Sequence, residues 1–410
     1  MGIREDAKEI IDASIASALP DNAVKKALKK LPACDGKIYL VAIGKAAWQM
    51  TKAAVDELGD KITDGVCITK YDHVKDQIEG IRCFEAGHPV LDENSVAATK
   101  EAEKLVSGLS KDDFVIFLVS GGGSALFEDP MVSLSELQDI NKQLLSSGAS
   151  ITEINTIRKR LSNVKGGRFA KMCEPATVFS IILSDIIGDP LDMIASGPAY
   201  PDSATAEDAT GIINKYSLKV TEDVKALLTE ETPKELSNVT TIVTGSVKQL
   251  CASASIKAKE LGYEPIVLTA CLDCEAKAAG QFLSAIAREH SKDGKKLAYI
   301  MGGETVVKLT GKGLGGRNQE LALACAEGIG GLKNVCAFSV GSDGTDGPTD
   351  AAGGIVDGYT SEALLAKGIT ISDVLANNDS YNALKLVDGL VITGPTGTNV
   401  NDVAVLLIGA

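Results

Sequence analysis

The stretch "SVGSDGTDGPTDAAGG", residues 339–354, completes the apolar run "VCAFSVG" and sets Asp343, Asp346 and Asp350 among glycines, with Asp357 just beyond. Carboxylates at the end of a buried strand, on backbone that glycine lets come close, can hold a cation or accept a proton. A solvated acidic turn is the plainer reading. Other strand ends share the make-up of glycine plus a charge or hydroxyl. They are Gly44–Lys45 after "YLVAI", "SGGGSALF" (120–127) after "FVIFLV", "SDIIGDP" (184–190) after "FSIIL", "GGET" (302–305), "GKGLGGRNQE" (311–320) and "GPTGTN" (394–399). Ligands of open α/β sheets bind beyond the carboxyl ends of strands, so these ends are read together.

Ser120, Gly121, Gly122, Gly123 and Ser124 offer backbone N–H groups at low steric cost, as a phosphate-binding nest does. Lys45, directly after a strand-end glycine, can approach a phosphate or a substrate carboxylate as a point charge. The pattern G-x-x-x-x-G-K-[ST] does not occur. Gly311, Gly313 and Gly316 do fit G-x-G-x-x-G, between the strand-like "TVVKLTG" and the helical "NQELALACAEGI", and the next strand ends at Asp343. That argues for a dinucleotide-binding dehydrogenase. The acid lies further along than that fingerprint asks. Arg317 follows the third glycine and Glu304 begins the preceding strand, and neither belongs to the fingerprint. The loop can equally hold an arginine over a phosphoryl group. His88, in "EAGHPVLDENS", either lines a site or bonds its own loop, while His73 and His290 read as surface. Cys271 and Cys274 form one "CLDC", which lacks the other two ligands of a structural zinc site and reads as a helix start.

The elements that must position these residues alternate. "KIYLVAIG", "DGVCITK", "DFVIFLVSGGGS" and "TVFSIILSDIIGD" read as buried strands with helical segments between them, which implies βαβ units and a parallel sheet covered on both faces. Residues 3–31 read as amphipathic helix. From about 201 to 240 the chain is acidic, helical in patches and broken by Pro, as at a domain junction. Alternation restarts at "TIVTGS" and continues through "EPIVLTA", "KLAYIMGG", "TVVKLTG" and "VCAFSVGSD". The end, "GLVITGPTGTNVNDVAVLLIG", reads as two strands joined by a loop and implies a mixed sheet. The expected fold is therefore α/β in two domains, 1–238 with a Rossmann-like parallel sheet flanked by helices and 239–410 with a mixed sheet.

The composition is that of a two-domain soluble protein, 45% hydrophobic and 23% charged over 410 residues. A net charge of -14 argues against nucleic-acid backbone binding. No apolar run is long enough to span a bilayer, no secretion signal opens the chain, and the 9 Cys sit mostly inside apolar runs, as reduced thiols of a cytoplasmic protein do.

The ordered set "VAIGKAA", "EAGHPVLDENS", "FLVSGGGSAL", "INTIRKRLSNVKGGR", "LSDIIGDPLDMIASGP", "GGETVVKLTGKGLGGRNQE", "SVGSDGTDGPTDAAGG" and "GPTGTNVNDV" resembles the class II glycerate kinases over most of the chain. The resemblance implies an amino-terminal Rossmann-like domain, a smaller carboxy-terminal α/β domain, and transfer of the γ-phosphoryl of ATP to D-glycerate with Mg²⁺ or another divalent cation, most often giving 2-phosphoglycerate. It carries the family's active-site positions to Lys45, Glu304, Arg317, Asp343 and Asn399. Phosphoryl transfer rests on positioning and charge stabilisation. Lys45 and Arg317 are then the clamps, Ser120–Ser124 the phosphate cradle, and Asp189 and Asp343 the candidates for holding the cation or taking the hydroxyl proton. Sites on both domains imply an interdomain cleft that closes on its ligands. The expected partners are D-glycerate and ATP, with neither nucleic acid nor membrane, and a homo-oligomer is compatible with the sequence. The alternatives are an NAD(P)-dependent hydroxypyruvate reductase, resting on the glycine fingerprint, and a non-catalytic sensor of nucleotide or sugar acid.

Overall fold

Apolar runs bounded by glycine and polar residues build the strands, because a strand covered on both faces must be apolar at successive positions. The computed structural model describes residues 2–184, 186–188 and 190–410. Asp189, one of the two carboxylates expected to hold a metal, lies outside the described residues. The chain divides into two compact units, one of residues 23–184 and 189–244, the other of residues 1–22, 185–188 and 245–410.

The first unit carries β1 (Ile38–Ile43), β2 (Ile62–Lys70), β3 (Ile81–Ala86), β4 (Phe114–Val119), β5 (Thr177–Leu183) and β6 (Val239–Gly245), in the sheet order β3-β2-β1-β4-β5-β6. The pairs β1–β2, β1–β4, β2–β3 and β4–β5 are parallel. This is the strand order of a doubly wound nucleotide-binding sheet. Leu40, Ala42, Ile116, Leu118, Phe179 and Ile181 fill the core on one face, with Trp48 and Met50 from the helix Ala47–Leu58 packed over them. The edge strand β3, half-buried and interrupted by Arg82 and Glu85, is not among the strands expected from sequence.

The second unit carries β7 (Glu264–Leu272), β8 (Leu297–Gly303), β9 (Val335–Gly341), β10 (Gly353–Asp357), β11 (Leu390–Val391) and β12 (Asp402–Ile408), in the order β11-β10-β9-β12-β8-β7. Only β7–β8 pairs parallel here among the described pairs; β12 runs antiparallel to both β8 and β9. The mixed sheet is thus as expected, with a core on each face.

The division departs from a cut at 238/239. "TIVTGS" completes the first sheet as β6 instead of opening the second. The first helix, Ile3–Ala18, belongs with the second unit, burying Ile10, Ile11 and Ile15 against the helix Val247–Glu260. Tyr263 Oη donates to Asp6 at 2.8 Å and Arg4 Nε to Asp357 at 2.5 Å, fixing the same helix. "TVVKLTG" is not a strand: beyond Gly303 the backbone is irregular up to Gly316, apart from one bridge between Val306 and Glu275. No helix among the described residues is long and apolar enough to cross a membrane.

Candidate active site

In the second unit, antiparallel pairing brings three chain segments to one edge. β12 begins where β8 and β9 end, with Asp402 level with Gly303 on one side and Gly341 on the other. Glu304 therefore follows β8, Asp343 follows β9, and Asp402 stands between them. A Cβ placed on Gly341 would lie 3.3 Å from Asp343 Oδ1 and 3.4 Å from Asp402 Oδ1, so that glycine marks the point flanked by both carboxylates. Arg317, the first residue of the helix Arg317–Ile329, grips Asp402 with two bonds, Nε to Oδ2 at 2.6 Å and Nη2 to Oδ1 at 3.0 Å. Its Nη1 lies 3.3 Å from Glu304 Oε1. Such a planar two-point fork fixes orientation as well as charge.

Burial works against the Arg317 charge, but the bond to Asp402 outweighs it and raises the guanidinium above its usual value. Burial pushes the Asp402 carboxyl up to about 6, against the pull of Arg317. Asp402 is a site residue that sequence reasoning missed. Its only sign was an Asp opening a wholly apolar strand, inside the quoted "GPTGTNVNDV".

Asn399 is exposed, and its Oδ1 accepts the Asn401 N–H at 3.4 Å. Its loop is tied to the acidic loop: Ser342 N–H donates to Asn401 O at 3.0 Å, Thr396 N–H to Asp343 O at 3.2 Å and Val400 N–H to Ser342 Oγ at 2.9 Å. The structure thus brings Glu304, Arg317, Asp343 and Asn399 together in one unit. Glu304 and Arg317 also line a cavity of about 800 Å³ with Val306, Val307, Leu309 and Pro348.

The carboxylates of the acidic stretch serve separate ends, Asp350 taking the Tyr381 hydroxyl at 2.8 Å. Asp343, half-buried, accepts the Thr345 N–H at 3.0 Å through Oδ1, and among the described residues no donor meets its other oxygen. Asp357 binds the first helix. Asp346 is buried and caps the helix Arg317–Ile329, accepting the N–H of Asn318 at 3.1 Å, that of Gln319 at 2.9 Å and the Gln319 side-chain amide at 3.0 Å. A Cβ on Gly316 would run into the Asp346 carboxyl group. The fingerprint glycines serve a related purpose, since Gly311 and Gly313 lie against the backbone at Asn377 and Asp379. A dinucleotide fingerprint needs the helix N–H groups free for a pyrophosphate. Here the protein's own carboxylate holds them, and no strand leads directly into the loop, since β8 ends at Gly303.

In the first unit, Lys45 follows β1 at the carboxyl edge of the parallel sheet, its N–H donating to Gly121 O at 2.9 Å. Ser120 Oγ donates to Ile43 O at 3.2 Å and accepts the Ala46 N–H at 3.1 Å. Ser124 Oγ pairs with Ser196 Oγ at 3.0 Å. Both hydroxyls expected to face a phosphate are therefore engaged within the protein. Gly123 is packed under Ala195, a Cβ there lying 2.7 Å from the alanine's. The N–H groups of Gly121 and Gly122 find no acceptor among the described residues. The basic run "INTIRKRLSNVKGGR" is also spent on the fold: Lys159 and Arg160 meet the buried Asp202 at 3.0 and 3.5 Å, and Lys165 meets the buried Glu128 at 2.9 Å.

Among the described residues no cluster of three or more His, Cys, Asp or Glu side chains is arranged to hold a metal ion. Asp343 by itself fits a Mg²⁺ ion, which takes one or two carboxylates and fills its other positions with phosphate oxygens and water. Cys271 and Cys274 are exposed free thiols.

Residues 6–229 match the family described as a domain of unknown function, DUF4147, and residues 297–402 match the MOFRL family. A D-glycerate 2-kinase of Thermotoga maritima is 52% identical, covering 99% of this chain and 98% of its own length. The crystal structure of glycerate kinase from Thermotoga maritima superposes with a TM-score of 0.94 over 98% of this chain and 99% of that one, at 52% identity. The chain belongs to the class II glycerate kinases. A glycerate 2-kinase of Pyrococcus horikoshii is 42% identical over 100% of this chain and 98% of its own. Relatives carrying the name putative hydroxypyruvate reductase stand lower, at 37% over 99% of this chain and 94% of its own length for one from Agrobacterium vitis. Membership agrees with the Asp346 cap: the glycine loop of this class II glycerate kinase leads into Arg317, on a helix whose first N–H groups Asp346 holds.

Proposed function

We propose that this chain transfers the γ-phosphoryl group of ATP to the 2-hydroxyl of D-glycerate, giving 2-phosphoglycerate and ADP. The observation that favours this over a reductase is the Asp346 carboxylate on the helix N–H groups where a dinucleotide would have to sit. Lys45 and the free N–H groups of Gly121 and Gly122 hold anionic oxygens of the donor. Arg317 spends Nε and one Nη2 proton on Asp402, leaving donors near Glu304 for the glycerate carboxylate or the charge developing on the phosphoryl oxygens. Glu304 and Asn399 orient the acceptor's hydroxyl groups, and Asp343 takes the hydroxyl proton or holds the cation. A Mg²⁺ ion would supply charge neutralisation on the phosphates, held by Asp343 where that carboxylate does not take the proton. The enzyme acts in the cytoplasm, in keeping with its free thiols. Initial rates of ADP release with D-glycerate, measured beside NADH oxidation with hydroxypyruvate, test the reading. NADH oxidation without ADP release would reverse it.

Two consequences concern the fork. A lysine keeps the charge of Arg317 but loses the planar grip on Asp402. Arg317→Lys is expected to lower kcat/KM at least about tenfold, about 1.4 kcal/mol of transition-state stabilisation, in steady-state kinetics. Asp402 must be ionised to hold the fork, and its carboxyl sits at about 6. kcat/KM is therefore expected to fall as pH drops through that value. A profile flat down to pH 5 would show that the Asp402 charge is not needed.

A further inference from the structure

The sheet order β3-β2-β1-β4 means that the chain winds outward from β1 in one direction and then, through β4, in the other, and ligands of such sheets bind at that reversal. Ile43 is level with Ile68 on one side and Val119 on the other, and just past them the Gly44 N–H donates to Ile68 O at 3.1 Å and the Lys45 N–H to Gly121 O at 2.9 Å, so Lys45, Lys70 and Gly121 all lie at the same edge of the sheet. Lys70 is in turn level with Ala86, and His88 follows Ala86 closely. A Cβ on Gly122, whose φ is +87°, would lie 3.0 Å from His88 Nε2 and 3.2 Å from Lys45 Cγ, so the imidazole and the lysine stem close over the same glycine.

Resting on the kinase reading above, we propose that Lys70 and His88 join Lys45 and the N–H groups of Gly121 and Gly122 in a cradle for the phosphate groups of the nucleotide donor. Among the described residues neither Lys45 nor Lys70 forms an ion pair. His88 is made less basic first by burial and then by the charges of Lys45 and Lys70. The nearby acids are committed elsewhere. Glu85 accepts the N–H groups of His73 and Val74 at 2.9 and 2.8 Å. Asp92 caps the helix Glu93–Leu105 and takes the Tyr71 hydroxyl at 2.6 Å. Half-buried cations beside free N–H groups are costly unless an anion completes them. Two ammonium groups, an imidazole and two N–H groups offer more donors than the two oxygens of one carboxylate can use. A polyphosphate tail matches them.

The test compares wild type with Lys70→Ala and His88→Gln, measuring dissociation constants for ADP and for tripolyphosphate by calorimetry and KM for D-glycerate by kinetics. Both anions are expected to bind at least about tenfold more weakly to each variant, with KM for D-glycerate changed less than about twofold. Lys70→Arg is expected to restore most of the binding, and unchanged melting temperatures exclude misfolding. A rise confined to the D-glycerate KM would assign the cradle to the acceptor's carboxylate and overturn the proposal. Unchanged constants in folded variants, with wild type binding both anions, would overturn it while leaving the kinase reading intact. A wild type that bound neither anion and released no ADP would remove both.

Discussion

Replacing Lys45 with Ala is expected to lower turnover at least about a hundredfold, the effect of removing one charge-stabilising donor from a reacting centre. Lys45 is placed by its own N–H bond to Gly121 O and by the close packing of its stem over Gly122. Its ammonium group forms no ion pair with any described residue, so no structural charge pair is lost with it. The fold is expected to persist, because the Gly44 N–H bonds to Ile68 O of β2 and Ser120 bonds to Ile43 O of β1 through its N–H and its hydroxyl, none of which involves the lysine side chain. Steady-state kinetics beside a circular-dichroism spectrum check this. A folded variant with normal turnover would remove Lys45 from the reacting centre.

The second large effect is expected at Asp343. Asp343→Asn should lower turnover by about a hundredfold or more, whether the carboxylate takes the hydroxyl proton or holds the cation. Excess EDTA should abolish turnover and Mg²⁺ restore it. Asp357→Asn, from the same acidic stretch, is expected to leave turnover within about twofold and to lower the melting temperature, since Asp357 binds Arg4 and the N–H of Tyr359. The pair separates chemistry from fold. Equal effects on turnover would make the acidic loop a purely structural turn.

The parts of this account that were legible in the sequence are those with a local signature. β1, β4 and β5 are continuous apolar runs, and a strand buried on both faces can hardly be anything else. Glycine beside a charge marked Lys45, Glu304 and Asp343 just past strand ends and Arg317 at a helix start, because polar groups at such ends are not needed to fill the core. Reasoning failed where the deciding partner is distant in the chain. "TVVKLTG" has strand composition, but after Gly303 the chain turns away to wrap Gly311 and Gly313 against Asn377 and Asp379. "TIVTGS" looks like the first strand of a new domain, and only the sheet order shows it closing the old one. Asp402 was not singled out, and Asp346 was named only among the carboxylates of the acidic loop, because a buried carboxylate announces its role only through its partners, Arg317 and the N–H groups of Asn318 and Gln319. The glycine fingerprint misled for the same reason. Its spacing is local, while the carboxylate that occupies its helix end comes from another loop.

The central claim is tested most directly by identifying the product formed from ATP and D-glycerate, using phosphorus NMR of the reaction mixture. The account predicts equimolar ADP and 2-phosphoglycerate, with no NADH consumed when hydroxypyruvate is supplied in its place. A mixture in which D-glycerate stays unphosphorylated while hydroxypyruvate oxidises NADH would contradict it.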